Sequence, residues 1–124
     1  MTMEKMELLI SQYAKFDDAI IEKIIYNLHY REPSMEIYTI TRNVTNDRYD
    51  KVVLFLMNVK EVRFIEPPSN YKCVGNCNFF QKEGKYVFDF TPWSDSTIDL
   101  EETRNSNFYV ICNDFSFEFE PLPD

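Results

Sequence analysis

Along Phe108–Glu120, FYVICNDFSFEFE, apolar and polar positions alternate. A strand sends successive side chains to opposite faces. Tyr109, Ile111, Asn113, Phe115, Phe117 and Phe119 therefore fall on one face, and Phe108, Val110 and Cys112 on the other, followed by Asp114, Ser116, Glu118 and Glu120. The pattern predicts a strand whose first half is buried on both sides. Its second half buries three phenylalanines and turns a row of acid to water, so the rest of the chain must supply a sheet and a core for that aromatic face.

Upstream, Met3, Met6, Leu9, Ile10 and Tyr13 form a stripe at helical spacing, which predicts a short amphipathic helix over residues 3–14. Ile20, Ile21, Ile24, Ile25 and Leu28 would also make a helix face, with Asp17 or Asp18 as its cap. At period two, Ile20, Ile24, Tyr26, Leu28 and Tyr30 share a face instead. The isoleucines and tyrosines favour a strand over Ile20–Arg31, because Glu32-Pro33-Ser34 then serves as a hairpin connection. Met35, Ile37 and Thr39 alternate with Glu36, Tyr38 and Ile40 in the returning strand, Met35–Arg42, and a polar turn centred on Asn46-Asp47 follows. The apolar run VVLFLMNV within Lys51–Ile65 predicts a central strand covered on both faces, continued by Val59, Val62 and Phe64 after a bulge or bend near Asn58. Pro67-Pro68-Ser69-Asn70 breaks the pattern, and Tyr71–Gln81 has no clear period. Lys82-Glu83-Gly84-Lys85 is a hairpin tip leading to a strand with Tyr86, Phe88 and Phe90 on one side and Val87 and Asp89 on the other. Thr91–Asn107 reads as an acidic loop, and Pro121 and Pro123 end the last strand. The expected fold is α+β, a single domain over residues 1–124. It consists of a mainly antiparallel sheet of five or six strands with the short N-terminal helix packed on it.

Composition supports a folded core: the 124 residues are 44% hydrophobic and 16% aromatic, and at this length roughly two thirds of the unfolded chain's surface is buried on folding. The net charge is −8, and its placement is uneven. Residues 89–124 hold nine of the 21 acids and one of the 13 bases, which accounts for the whole imbalance. Such a surface argues against direct contact with DNA, RNA or anionic lipid, which need basic patches. It fits either a charge that keeps the protein soluble or an acidic interaction face. Three cysteines and an apolar run of only three residues near the start, Leu8–Ile10, point to a cytoplasmic protein with reduced thiols and no membrane span.

Candidate chemistry is sparse. Cys73 and Cys77 lack the spacing of a zinc half-site and have no second pair, so they read as core-filling side chains rather than ligands. His29, the sole histidine, reads as a surface residue on a strand. Asp95, Asp99, Glu101 and Glu102 lack the glycine and alternating spacing of a calcium loop. With two glycines in the chain and no phosphate-binding, dinucleotide or nucleophile-elbow motif, the expectation is a protein that is not an enzyme and holds no cofactor or metal. What remains is the acidic surface and Trp93, flanked by Pro92, Asp89, Asp95 and Asp99. It is either a core residue or an aromatic anchor ringed by carboxylates, as in interface hot spots.

Phe16-Asp17-Asp18-Ala19-Ile20 is similar to the aromatic–x–Asp–Ala–x–Ile opening of several small bacterial immunity proteins of contact-dependent growth inhibition and related polymorphic toxin systems. The strand pair at Met35–Arg42 and Val52–Val59 and the aromatic–acidic terminal strand follow in the same order as in those proteins. The chain departs from them in carrying Asp17 where a histidine is usual. The resemblance covers about half of the chain and implies a stoichiometric inhibitor that binds the C-terminal domain of a cognate toxin. A nuclease toxin needs a basic cleft, and an acidic face mimics the phosphate array without being cleaved. The residues expected to form that face are Asp95, Asp99, Glu101, Glu102, Asp114, Glu118 and Glu120, with Trp93 as anchor. Two other readings stay open: a structural or regulatory module that self-associates through an edge strand, and a small enzyme or ligand carrier with an aromatic pocket walled by His29 or Cys112.

Overall fold

The structure, a computed structural model, describes residues 2–13, 16, 19–28, 31–65, 77–91 and 99–123, with side chains from Lys5 onward. The chain forms helix α1 (Thr2–Tyr13), strands β1 (Ile20–Asn27), β2 (Ser34–Asn43), β3 (Arg48–Phe64), β4 (Asn78–Lys82) and β5 (Lys85–Asp89), a short helix α2 (Leu100–Thr103) and strand β6 (Phe108–Pro121). The six strands make one sheet in the order β1-β2-β3-β6-β5-β4, antiparallel throughout. This is the expected α+β architecture. Ile20–Asn27 is a strand and not a helix, and it ends four residues short of the expected boundary.

Residue chemistry explains the elements. In β2 the alternation of apolar and polar positions carries directly into burial: Met35, Ile37, Thr39, Thr41 and Asn43 face the core. The β4–β5 tip places Glu83 and Gly84 at φ 54° and 77°, the two positive angles that a two-residue hairpin of this twist requires. Helix α1 lays Met6, Leu9 and Tyr13 on the inner face of the sheet, where they meet Leu54, Leu56, Phe88, Val110 and Phe115. Rings dominate this core. Phe79 packs against Phe16, Phe88 and Phe90 at centroid distances of 5.2, 5.0 and 5.4 Å, and Phe115 packs edge-on against Tyr86 and Phe88.

Three local irregularities change which side chains face inward. In β1 the register shifts between Ile21 and Lys23, so Ile21 and Ile24 reach the core while Ile20 is 49% exposed. The face expected from strict alternation, Ile20 with Ile24 and Tyr26, is therefore corrected. In β3, Asn58 takes φ 56° and the register against β6 shifts again between Val59 and Glu61, a bend where the sequence expects one. Across from Asn58, the inward side chains of β6 step from Cys112 to Phe115, three residues instead of two. Phe108, Val110 and Cys112 thus share the inner face with Phe115 and Phe117. Tyr109 and Ile111 turn to the opposite side and build a second cluster with Phe80, Val87 and Leu100 of α2. The single face expected to run from Tyr109 to Phe119 is broken at Asn113. Of the three phenylalanines expected inside, Phe115 is fully buried, Phe117 is half-buried and Phe119 is 52% exposed.

Candidate interaction surface

On the side of the sheet away from α1, the ladder register sets β1, β2, β3 and the C-terminal half of β6 side by side. One row reads Lys23, Tyr38, Val53, Glu118; the row beside it reads Ile20, Ile40, Lys51, Glu120; on the other flank lie Ile25, Glu36, Phe55 and Ser116. All twelve are half-buried or exposed, and none belongs to either buried cluster. The expectation that β3 is covered on both faces is corrected here. Val52, Leu54 and Leu56 are buried, whereas Val53 and Phe55 are only half-buried and belong to an open sheet face. The strand is central, but one of its faces is uncovered by any described element. The result is an apolar centre of Tyr38, Ile40, Val53 and Phe55 bordered by carboxylates.

The carboxylates themselves differ in their ties. Glu118 and Glu120 are exposed and make no ion pair among the described residues; Glu120 stands opposite Lys51, which is paired with Glu22 at 3.9 Å. Glu118 lies close enough to Tyr38 to help raise its phenol above the ordinary value, after the larger effects of the hydrogen bond that Tyr38 donates to Glu36 at 2.6 Å and of burial. The ammonium of Lys23 sits over the same ring, 4.9 Å from its centroid. Asp114 is more engaged. It pairs with Lys5 of α1 at 3.6 Å and accepts a hydrogen bond from the N–H of Phe115.

Asp99, Glu101 and Glu102 stand apart from this row. Asp99 is the N-cap of α2, its carboxylate accepting the N–H of Glu101 at 2.9 Å, and Glu101 and Glu102 occupy the first turn, where negative charge complements the helix dipole. Leu100 anchors the helix over Ile111, seven residues before Glu118 along the same strand. At about 3.4 Å per residue, that places the helix roughly 24 Å from the Glu118 position. Of the six described carboxylates of the expected patch, Glu118 and Glu120 form one group and Asp99, Glu101 and Glu102 another on the side of the sheet away from α1, while Asp114 is tied to Lys5 of α1. Trp93 and Asp95 lie outside the described residues, as do His29 and Cys73.

The helix end of this surface is fixed by a network around Glu61. Arg104 donates from Nε and Nη2 to the two Glu61 oxygens at 2.9 and 3.1 Å, and the Tyr109 hydroxyl donates to Oε2 at 2.6 Å. The Arg104 bonds lead in holding the Glu61 carboxyl below the ordinary carboxylate range, while burial, followed by the Glu61 bond, pushes the Tyr109 phenol up to about 12. Sequence reading missed both this network and the apolar centre. The capping pattern Asp99-x-x-Glu102 would have signalled α2, whereas nothing local marks Glu61 as the partner of Arg104.

The side chain of Cys112 is fully buried, and burial leads in pushing its thiol up to about 12, the reverse of an activated nucleophile. An open groove of about 450 Å³ runs between α1 and the β4–β5 hairpin, lined by Met6, Ile10, Phe79 and Phe80 among others, and Cys112 is not on its wall. No group of three His, Cys, Asp or Glu side chains among the described residues is placed to hold a metal ion. No described helix is long and apolar enough to cross a membrane. Comparison with protein-family models, with curated proteins and with solved structures found no match.

Proposed function

We propose that this chain is an immunity-type inhibitor that binds and neutralises a basic, nuclease-type toxin domain through the acid-bordered face of its sheet. The observation that carries the reading is the placement of Glu118 and Glu120. They are exposed, free of ion pairs among the described residues, and aligned beside the uncovered apolar row of Tyr38, Ile40, Val53 and Phe55. An apolar centre with a charged border is the anatomy of a protein-binding face, and the sign of the border selects a basic partner. Asp99, Glu101 and Glu102 supply a second acidic group above the same side of the sheet. Within the described residues the apolar anchor of the contact is Phe55 with Tyr38, and Trp93 and Asp95 are further candidates from the sequence. In this reading the protein acts by occlusion and needs no catalytic residue, cofactor or metal; it works wherever the toxin does, which for a nuclease is the cytoplasm.

The test is neutralisation of the toxin domain encoded beside the gene. Co-production of the chain should restore growth, and the purified pair should form a 1:1 complex without nuclease activity. Growth arrest that persists with the chain in excess, and no complex on gel filtration, would refute the proposal.

A further inference from the structure

β6 has two partners up to Cys112 but only one beyond it, because β5 pairs with it at Tyr109–Cys112 alone. From Asn113 to Pro121 it is an edge strand among the described residues. The direction of its backbone groups follows from the ladder. The N–H of Leu122 donates to the C=O of Tyr49, so in antiparallel alternation positions 114, 116, 118 and 120 turn their N–H and C=O to β3. Phe115, Phe117, Phe119 and Pro121 turn theirs to the open side. Phe115 is already satisfied, its C=O by the Lys5 ammonium and its N–H by the Asp114 carboxylate. Pro121 has no N–H to offer. The N–H and C=O of Phe117 and Phe119 remain, and no group among the described residues bonds to them on that side.

An edge of this kind templates another strand, and charged side chains normally protect it. The protection here is selective. Two copies pairing antiparallel on this edge would set Glu118 opposite Glu118, or Glu118 opposite Glu120, or Glu120 opposite Asp114, according to register. Like charges directly across a ladder are destabilising. A second copy is therefore disfavoured by the same carboxylates that favour a basic strand. Deepening the inhibitor reading, on which it rests, we infer that the edge of β6 at Phe117–Phe119 accepts an extended segment of the toxin as a seventh strand. That segment carries Lys or Arg at the positions facing Glu118 and Glu120. Its alternate positions are apolar and lie beside Phe117 and the half-exposed ring of Phe119.

The probe is a charge-swapped copy of the chain, D114N/E118K/E120K, in which no register sets a lysine opposite a carboxylate of the same copy's edge, mixed with the wild type and followed by sedimentation velocity. Each protein alone should stay monomeric, while the mixture should give a 1:1 dimer at low salt. A semisynthetic wild-type chain, joined at Cys112 and carrying an N-methyl group on Phe119, removes the edge donor without touching the β3 ladder or any side chain. It should keep its urea midpoint and lose about tenfold in affinity for the swapped copy, the worth of roughly one interstrand hydrogen bond. No dimer in the mixture, or a dimer indifferent to the N-methyl group, would overturn edge pairing. With the toxin in place of the swapped copy, binding unaffected by N-methylation would overturn the edge mode and leave the inhibitor reading standing. A dimer of wild type and swapped copy with no affinity for the toxin would remove the inhibitor reading and keep the chemistry of the edge.

Discussion

Tyr13 ends α1 with its ring buried against Phe16 and its hydroxyl donating to Oδ2 of Asp50 at 2.8 Å, where the Asn43 amide donates as well. The other carboxylate oxygen, Oδ1, is buried without a partner, so Asp50 depends on these two donors. Tyr13→Phe should cost about 1–3 kcal/mol, the range for stripping a donor from a buried polar group, read as a lowered urea midpoint. A second phenol gives a pH dependence. Tyr109 has its folded value raised to about 12 against an ordinary 10.0, so its stabilising contribution is complete below pH 10 and is lost as the pH rises through 12. Urea midpoints measured across that window should fall for the wild type and fall less for Tyr109→Phe. Neither hydroxyl is marked in the sequence as anything but an aromatic among apolar neighbours. Their partners, Asp50 and Glu61, lie 37 and 48 positions away, a separation over which no local pattern carries information.

Among the elements, those whose own backbone carries no bulge or bend are the ones that local alternation describes well, whether one face is covered, as in β2, or both, as in β5. β2 and β5 follow their period-two pattern, and the Glu83-Gly84 tip follows from glycine's tolerance of positive φ. β1, β3 and β6 each carry an irregularity that resets which side is buried. The sequence hints at only one of these, the Asn58 bend, since asparagine is among the few residues that accept left-handed backbone cheaply. At Asn113 both possible faces of β6 are populated by apolar residues up to Cys112, so alternation has nothing to break and the switch is invisible. The bend sets where the open half of β6 points, and its conformation should be sensitive to branching at Cβ. Asn58→Gly should be near neutral, whereas Asn58→Val should lose about 1–3 kcal/mol by urea denaturation.

At the scale of the whole molecule, the sheet has one face committed to α1 and the aromatic core and another divided in two. One part of that second face is covered by α2; over the other, beside the acids of β6, no described element packs. The excess of acid at the C-terminal end of the chain is legible from composition, as is its alternation with phenylalanine. Its division into two groups is not, because it depends on Asp99 capping a helix that docks on Ile111. The apolar half of the surface is hidden as well, since VVLFLM reads as a run buried on both sides, whereas Val53 and Phe55 are half-buried with no described element packed over them. What gives this face its proposed use is the apolar row of Tyr38, Ile40, Val53 and Phe55 beside Glu118 and Glu120, which make no ion pair among the described residues. The most direct measurement is the stopped-flow association rate of the chain with the neighbouring toxin domain as ionic strength is varied. Association through the acidic border should be fast at low salt, up to about 10⁸–10⁹ M⁻¹s⁻¹, and fall steeply as salt rises, with a slower, nearly flat profile for E118Q/E120Q. A rate that is the same at every ionic strength, or a steep profile that survives both substitutions, would contradict it.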